Sequence, residues 1–191
     1  EEKVFLEGTL NILNQPEFGK LPSNERLEKI KKSPNFKNGS FQNQSITPNL
    51  TGNSGFLKAL YDFLFKSHER VTPESQIPSI KTDIKNLKAD EDVLIWFGHS
   101  SYFIQIDGKK ILVDPVFNDH ASPFPWMVKA FKGTNPFKAE DIPDIDYLII
   151  THDHWDHLDY NTLQKLKGRI KKVVCGLGVG EHLNIGDLIQ K

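Results

Sequence analysis

The segment Thr151-His152-Asp153-His154-Trp155-Asp156-His157-Leu158-Asp159 holds the side chains best suited to chemistry. Four potential ligands, His152, His154, Asp156 and His157, fall within six positions, and three of the chain's 7 histidines are among them. Imidazole nitrogens and carboxylate oxygens suit zinc, at about 2.0–2.2 Å. His152 and His154, two apart, point the same way where the backbone is extended. Asp156 and His157 lie where the chain turns, so they can face a neighbouring point a few ångströms away. The competing reading is a polar loop that collects histidines by chance. The density of donors and the aspartate at the matching offset argue against it.

The elements that must position these residues are α/β in character. Residues 147–150 read as a buried strand running into the motif, and Asp159 is a plausible N-cap for a helix to about Lys167, closed by Gly168. Upstream, 93–97 is a short apolar run expected to be a strand. The segments 102–106 and 110–113 flank Asp107-Gly108, a hairpin signal because a type I′ turn needs positive φ. A Pro- and Phe-rich loop over 119–143 is long enough to be functional, with Trp126 and Phe131 either shaping an apolar pocket or simply packing. Residues 172–175 read as a further strand.

Residues 1–90 read as an N-terminal arm and 91–191 as the start of the main domain. Within the arm, 23–32 is a helix entered after Pro22 and ended before Pro34, 35–55 is a polar loop, and 71–87 is a Pro-containing extended connector. Residues 56–66 form a helix candidate with Phe56, Leu57, Leu60, Tyr61 and Leu64 at helical spacing and Phe63 and Phe65 widening the face. It lacks the Lys/Arg-rich polar face of an interfacial helix, so packing against the main domain is expected rather than lying on a membrane. Sequons at Asn38, Asn43 and Asn49 are as expected by chance in an Asn/Ser-rich loop. Gly176-Leu177-Gly178-Val179-Gly180 fails the dinucleotide fingerprint, because Glu181 stands where a glycine is needed; a tight strand-to-helix turn is the better account. Cys175 reads as a small core residue, and as the single cysteine it excludes an intrachain disulfide or a Cys-rich zinc module.

The spacing His-x-His-x-Asp-His resembles the metallo-β-lactamase superfamily. The resemblance extends over Trp96-Phe97-Gly98-His99-Ser100-Ser101, Asp107-Gly108, Leu112-Val113-Asp114-Pro115-Val116-Phe117, Ala121-Ser122-Pro123 and the segment 152–160. These look most like bacterial relatives of N-acylphosphatidylethanolamine-hydrolysing phospholipase D, with the ascorbate-6-phosphate lactonase group a more distant cousin. The resemblance implies a four-layer αβ/βα sandwich and a dinuclear site, most simply two Zn²⁺, with Mn²⁺ or Fe as alternatives. His152 and His154 would bind one ion, and Asp156 and His157 the second. Asp156 and His157 are also the expected catalytic positions, beside a metal-activated hydroxide as nucleophile. Asp114 is implied to orient a metal-binding histidine, its alternative being a turn residue before Pro115. His99 is implied to be a supporting or pocket residue, its alternative a histidine satisfied by hydrogen bonds beneath the sheet edge. His182 matches no ligand position of the family.

The same resemblance sets a deficit. The family draws a third histidine, a bridging carboxylate and a last histidine from its C-terminal half, and Asp187 is the sole aspartate after Asp159. The 191 residues are therefore expected to carry the arm and the N-terminal half of the sandwich, and alone to bind metal weakly and catalyse little. The chain begins Glu1-Glu2-Lys3 and its only methionine is Met127, so the native N-terminus is expected to be processed, trimmed or left out. The intact protein is expected to be a hydrolase of small or lipid-like phosphodiesters, with a lactonase or a non-catalytic scaffold as alternatives. With Lys+Arg at 24 and Asp+Glu at 25, a net charge of −1 argues against a nucleic-acid groove built on bulk positive charge. A cytoplasmic location is expected, with periplasmic or membrane-associated placement and peripheral membrane contact as alternatives. An exposed half-sandwich is expected to form homo-oligomers or to associate with a C-terminal half.

Overall fold

The computed structural model describes residues 15–47, 55–66 and 69–187; the Asn49 sequon and the side chains of Phe63 and Leu64 lie outside the described residues. The main domain is built on a five-stranded sheet: β1 (Val93–Gly98), β2 (Ser101–Ile106), β3 (Lys109–Val113), β4 (Ile145–Ile150) and β5 (Ile170–Cys175). The strands lie side by side in chain order. β1, β2 and β3 form an antiparallel meander, whereas β3–β4 and β4–β5 pair in parallel. The β2–β3 hairpin is closed by Asp107 and Gly108 at φ 48° and 68°, the positive pair that a type I′ turn requires.

This mixed order has a geometric consequence. Two reversals return the chain to its first direction, so β1, β3, β4 and β5 all run the same way. Their C-terminal ends, at Gly98, Val113, Ile150 and Cys175, converge on one edge of the sheet. Ligands of α/β sheets gather outside such strand ends, where the loops are free to carry function.

One face of the sheet carries the core. Phe97, Phe103, Leu112, Leu148 and Ile150 pack there with Leu163 and Leu166 of α3 (Tyr160–Leu166). Ile84, Ala139 and Leu183, from three 3₁₀ turns at Ile84–Asn86, Ala139–Asp141 and Val179–Asp187, complete it. The expected extended connector thus ends in a buried anchor, Ile84. The cause lies outside the connector's own sequence: Gln105 on β2 donates to the carbonyls of Lys88 and Glu91 at 2.6 and 2.8 Å and draws it onto the sheet. Arg169 joins α3 to this layer by donating to the carbonyls of Ile142 and Ala139 at 2.6 and 3.0 Å. The long loop after β3 is also ordered in part, with His120 bridged to Lys129 and Ala121 N–H donating to Val128 O at 3.0 Å. Gly176–Gly178 is the tight turn expected from sequence, with Gly178 at φ 103°. Cys175 packs against the core, and its burial pushes the thiol pKa up, which disfavours the reactive thiolate.

The arm adds α1 (Asn24–Lys31) and α2 (Phe56–Phe65). α1 buries Ile30. Of the apolar residues of α2 whose side chains are described, Phe56, Leu57, Tyr61 and Phe65 are exposed. Within the helix the Tyr61 and Phe65 rings are 5.2 Å apart and Lys58 pairs with Asp62 at 2.7 Å.

The second face of the sheet is also largely apolar. Cross-strand pairing sets Trp96, Tyr102, Val113, Ile149 and Val174 in one row, with Leu94, Ile104, Ile111 and Tyr147 in the next. Toward the edges this face meets solvent: Leu94 and Trp96 are 68% exposed and Val174 52%. One helical layer on a sheet whose other face is ready to be covered is the arrangement expected of half an αβ/βα sandwich. The 191-residue chain is expected to self-associate through this face, giving concentration-dependent sedimentation that Leu94→Lys combined with Ile106→Lys abolishes. Sedimentation as a monomer at every concentration would contradict the expectation.

Candidate metal centre

The site is assembled from three of the converging strand ends. At the first, a β-bulge between Trp96 and Gly98 re-aims the chain, and His99 follows with φ 47°. The Trp96 indole N–H donates to His99 O at 2.9 Å and holds this turn. At the second, Asp114 follows β3 with φ 42°. At the third, Thr151 and the ligand loop follow β4. Left-handed backbone is unfavourable for non-glycine residues, so two such residues at strand ends on the same edge of the sheet mark places where the surrounding structure enforces the conformation.

Asp114 is the centre of this arrangement. It is only 1% exposed, yet its carboxylate is fully engaged. Oδ1 accepts from Thr151 N–H at 2.8 Å, and Oδ2 accepts from the Thr151 hydroxyl at 2.6 Å and from His157 Nδ1 at 2.8 Å. The Asp114 N–H donates back to Ile149 O at 3.0 Å. The sequence expectation that Asp114 orients a histidine has its geometry here, and the histidine is His157. A carboxylate only accepts, so the proton of the His157 ring sits on Nδ1 and the Nε2 lone pair is free. Thr151 was not singled out by its sequence position. Its hydroxyl donates to Asp114 and has a lone pair left for His152 Nδ1, 3.0 Å away. That contact frees Nε2 of His152 in the same way.

The free nitrogens face one another. His152 Nε2 lies 3.1 Å from His154 Nδ1, and the His152 and His157 ring centroids are 3.8 Å apart with the planes tilted by 48°. Two nitrogens on a tetrahedral ion with bonds of about 2.0–2.1 Å are roughly 3.3 Å apart, close to the first of these spacings. Asp156 lies between two donor sets: His152, His154 and Asp156 offer ligand atoms within 4.8 Å of one another, and so do His99, Asp156 and His157. His99 Nε2 is 2.9 Å from Asp156 Oδ2, and His157 Nε2 is 3.9 Å from the same oxygen. His99 therefore stands beside the carboxylate as a donor in its own right. The donor set is two nitrogens and a carboxylate oxygen on each side, chemistry that fits zinc, manganese or iron.

The remaining motif residues have other tasks. Asp159 caps α3 by accepting from Asn161 N–H at 3.2 Å and ties down the upstream loop through Asn118 Nδ2 at 2.7 Å. Its burial raises the carboxyl pKa. Of the two loop aromatics considered as pocket walls, Phe131 lines a cavity beside the donors, whereas Trp126 stacks on Phe124 at 5.2 Å and lies outside that lining. The cavity, about 590 Å³, reaches from His99 and Asp156 to Phe97, Val116 and Val128. His182 is not among the grouped donors; its ring contacts Lys20 N–H and Asp153.

Asp114→Asn is expected to weaken divalent-ion binding by about 10–100-fold, the usual effect of losing the partner that orients a ligating histidine. Isothermal titration with Zn²⁺ measures the loss. Imidazole ¹⁵N NMR is expected to show His157 protonated at Nδ1 in the parent and a mixed tautomer population in the variant.

Residues 109–188 match the model of the beta-lactamase superfamily domain. The chain is 33% identical over 152 residues to an uncharacterised protein of Mycobacterium tuberculosis, covering 79% of this chain and 41% of that protein. It is 28% identical over 163 residues to N-acyl-phosphatidylethanolamine-hydrolyzing phospholipase D 1 of Caenorhabditis elegans, covering 81% of this chain and 42% of that enzyme. A metal-dependent hydrolase of Hyperthermus butylicus is 39% identical over 64 residues, 33% of this chain and 22% of the relative. The chain thus spans about two fifths of the length of the first two. The matched domain and these relatives are consistent with the metallo-β-lactamase superfamily.

Proposed function

We propose that the intact protein is a metal-dependent hydrolase that holds two divalent ions, Zn²⁺ in the first instance, and cleaves phosphodiesters with an apolar, lipid-like part. The observation that carries this reading is the position of Asp156, whose carboxylate is common to both three-donor sets. His152 and His154 would hold one ion, His157 and His99 the other, and Asp156 would serve both. When bound, such ions supply a water acidified toward neutral pH and polarise the scissile oxygen.

The chain's own residues do the rest. Asp114 and Thr151 fix two imidazoles before any ion arrives, so little ordering remains to oppose binding. The cavity places Phe97, Val116, Val128 and Phe131 beside His99 and Asp156. A ligand with an apolar body would bury that part there, excluding water, and leave its polar end at the donors. The names of two relatives, a phospholipase D and a metal-dependent hydrolase, support hydrolysis and a phosphodiester substrate.

Because the further ligands implied by the family resemblance come from a C-terminal half, the 191-residue chain alone is expected to bind ions weakly and turn over little. Titration with Zn²⁺ is expected to show binding that a chelator reverses readily. His152→Ala removes one set and leaves the other, whereas Asp156→Asn weakens both. Tight, chelator-resistant stoichiometric zinc, or an Asp156→Asn variant that still binds two ions, would overturn this ligand scheme. A panel of phosphodiesters and lactones assayed with Zn²⁺ or Mn²⁺ on the full-length gene product tests the substrate class. Turnover of lactones without phosphodiesters would reassign it.

A further inference from the structure

We propose that residues 15–26 act as a clamp on the outer side of the ligand loop, with His182 as its joint and positioning residue; this rests on the reading of residues 152–157 as a metal centre. The loop is used from two sides. His152, His154 and Asp156 contribute to the donor sets, while the residues between them, Asp153 and Trp155, engage other parts of the chain. The Trp155 indole N–H donates to Glu17 O at 2.9 Å, and its ring meets Phe18 edge-on at 6.0 Å. Asp153 Oδ2 lies 3.3 Å from His182 Nε2.

His182 joins three segments distant in sequence. Its Nδ1 accepts the Lys20 N–H at 3.1 Å, which leaves the ring proton on Nε2 to be donated to Asp153. The approach requires glycine at position 19. Gly19 has φ 76°, and a Cβ there would sit 1.9 Å from His182 Nδ1. A second lock stands behind the first. Lys20 Nζ and Arg26 Nε reach the Glu181 carboxylate at 3.5 and 3.1 Å, and that side chain is only 9% exposed. Gly180 lets Arg26 in, since a Cβ there would lie 2.4 Å from Nη1. The space left between Phe18, Asp153, Trp155, Tyr160 and His182 is about 20 Å³, room for roughly one water. The clamp therefore fits closely, and the loop bearing the donors is held at alternate residues against a surface made by the arm and the turn after β5.

The test is Co²⁺ titration of the 191-residue chain, followed by its visible absorption, together with hydrogen exchange of the amides of residues 152–158. Gly19→Ala and His182→Ala are expected to weaken Co²⁺ binding by about 10–100-fold and to speed exchange in the loop while β2 and β3 stay protected. His182→Gln, whose amide can accept from Lys20 and donate to Asp153, is expected to retain most of the affinity. Should Gly19→Ala fail to fold, Trp155→Phe carries the test, because it removes the indole hydrogen bond to Glu17 while keeping an aromatic ring toward Phe18. Parent-like affinity and parent-like exchange in the folded variants would overturn the clamp. A parent chain that binds no Co²⁺ would overturn the metal reading instead, and the clamp is then decided by exchange alone: unchanged protection of 152–158 in Gly19→Ala refutes it.

Discussion

The buried carboxylate of Asp114 is the constraint on which the site depends. An ionised group removed from water is costly unless its lone pairs are satisfied. Here the satisfying donors are Thr151 N–H, the Thr151 hydroxyl and His157 Nδ1, all supplied by the neighbouring strand end and the loop after it. One group therefore performs two tasks. It staples the ends of β3 and β4, and it selects the tautomer of an imidazole in the donor cluster. Folding the parallel strand pair and preparing the site are, at this point, one event. The positive φ at Asp114 and His99 is the local cost of aiming both side chains into the same small volume.

The ligand loop shows how a short segment can be made rigid without being buried. Its side chains alternate between an inner cluster of nitrogen and carboxylate donors and outer contacts to Glu17, Phe18 and His182. Six residues with little regular secondary structure have few backbone hydrogen bonds of their own. Their order comes from Asp114 on one side and the arm on the other, with Asp159 closing the loop into α3. The arm is thus part of the site's architecture over residues 15–26, although those residues carry none of the grouped metal donors.

The sheet gives the domain an asymmetry. One face is sealed by α3 and three 3₁₀ turns, while the other presents two rows of apolar side chains with exposed edges. A cavity beside the donors opens among Phe97, Val128 and Phe131, so apolar surface and metal-binding chemistry adjoin.

Much of this was legible in the residues themselves. Local rules sufficed for the hairpin, since Asp107-Gly108 tolerates the positive φ of its turn, for the apolar strands, and for the Asp159 cap. The donors His152, His154, Asp156 and His157 were legible because their spacing is short and their chemistry narrow. The roles of Thr151, His99 and His182 were not. A threonine or a lone histidine looks the same in sequence whether it supports a site or fills a surface, and each acts here through partners 37, 57 and 162 positions away, at Asp114, Asp156 and Lys20. For α2, periodicity reports that the helix has an apolar side, and not which surface that side will meet.

The sequence by itself determined the candidate donors, the α/β class and the strands that lead into the motif, because these follow from side-chain type and from spacings of a few residues. Only the tertiary structure decided which histidine Asp114 orients, that Asp156 is common to two donor sets, and that the arm grips the loop from behind. Those facts depend on the order and direction of the strands. Two reversals of the chain bring Gly98, Val113 and Ile150 to the same edge of the sheet, and no local pattern encodes where separate segments will meet.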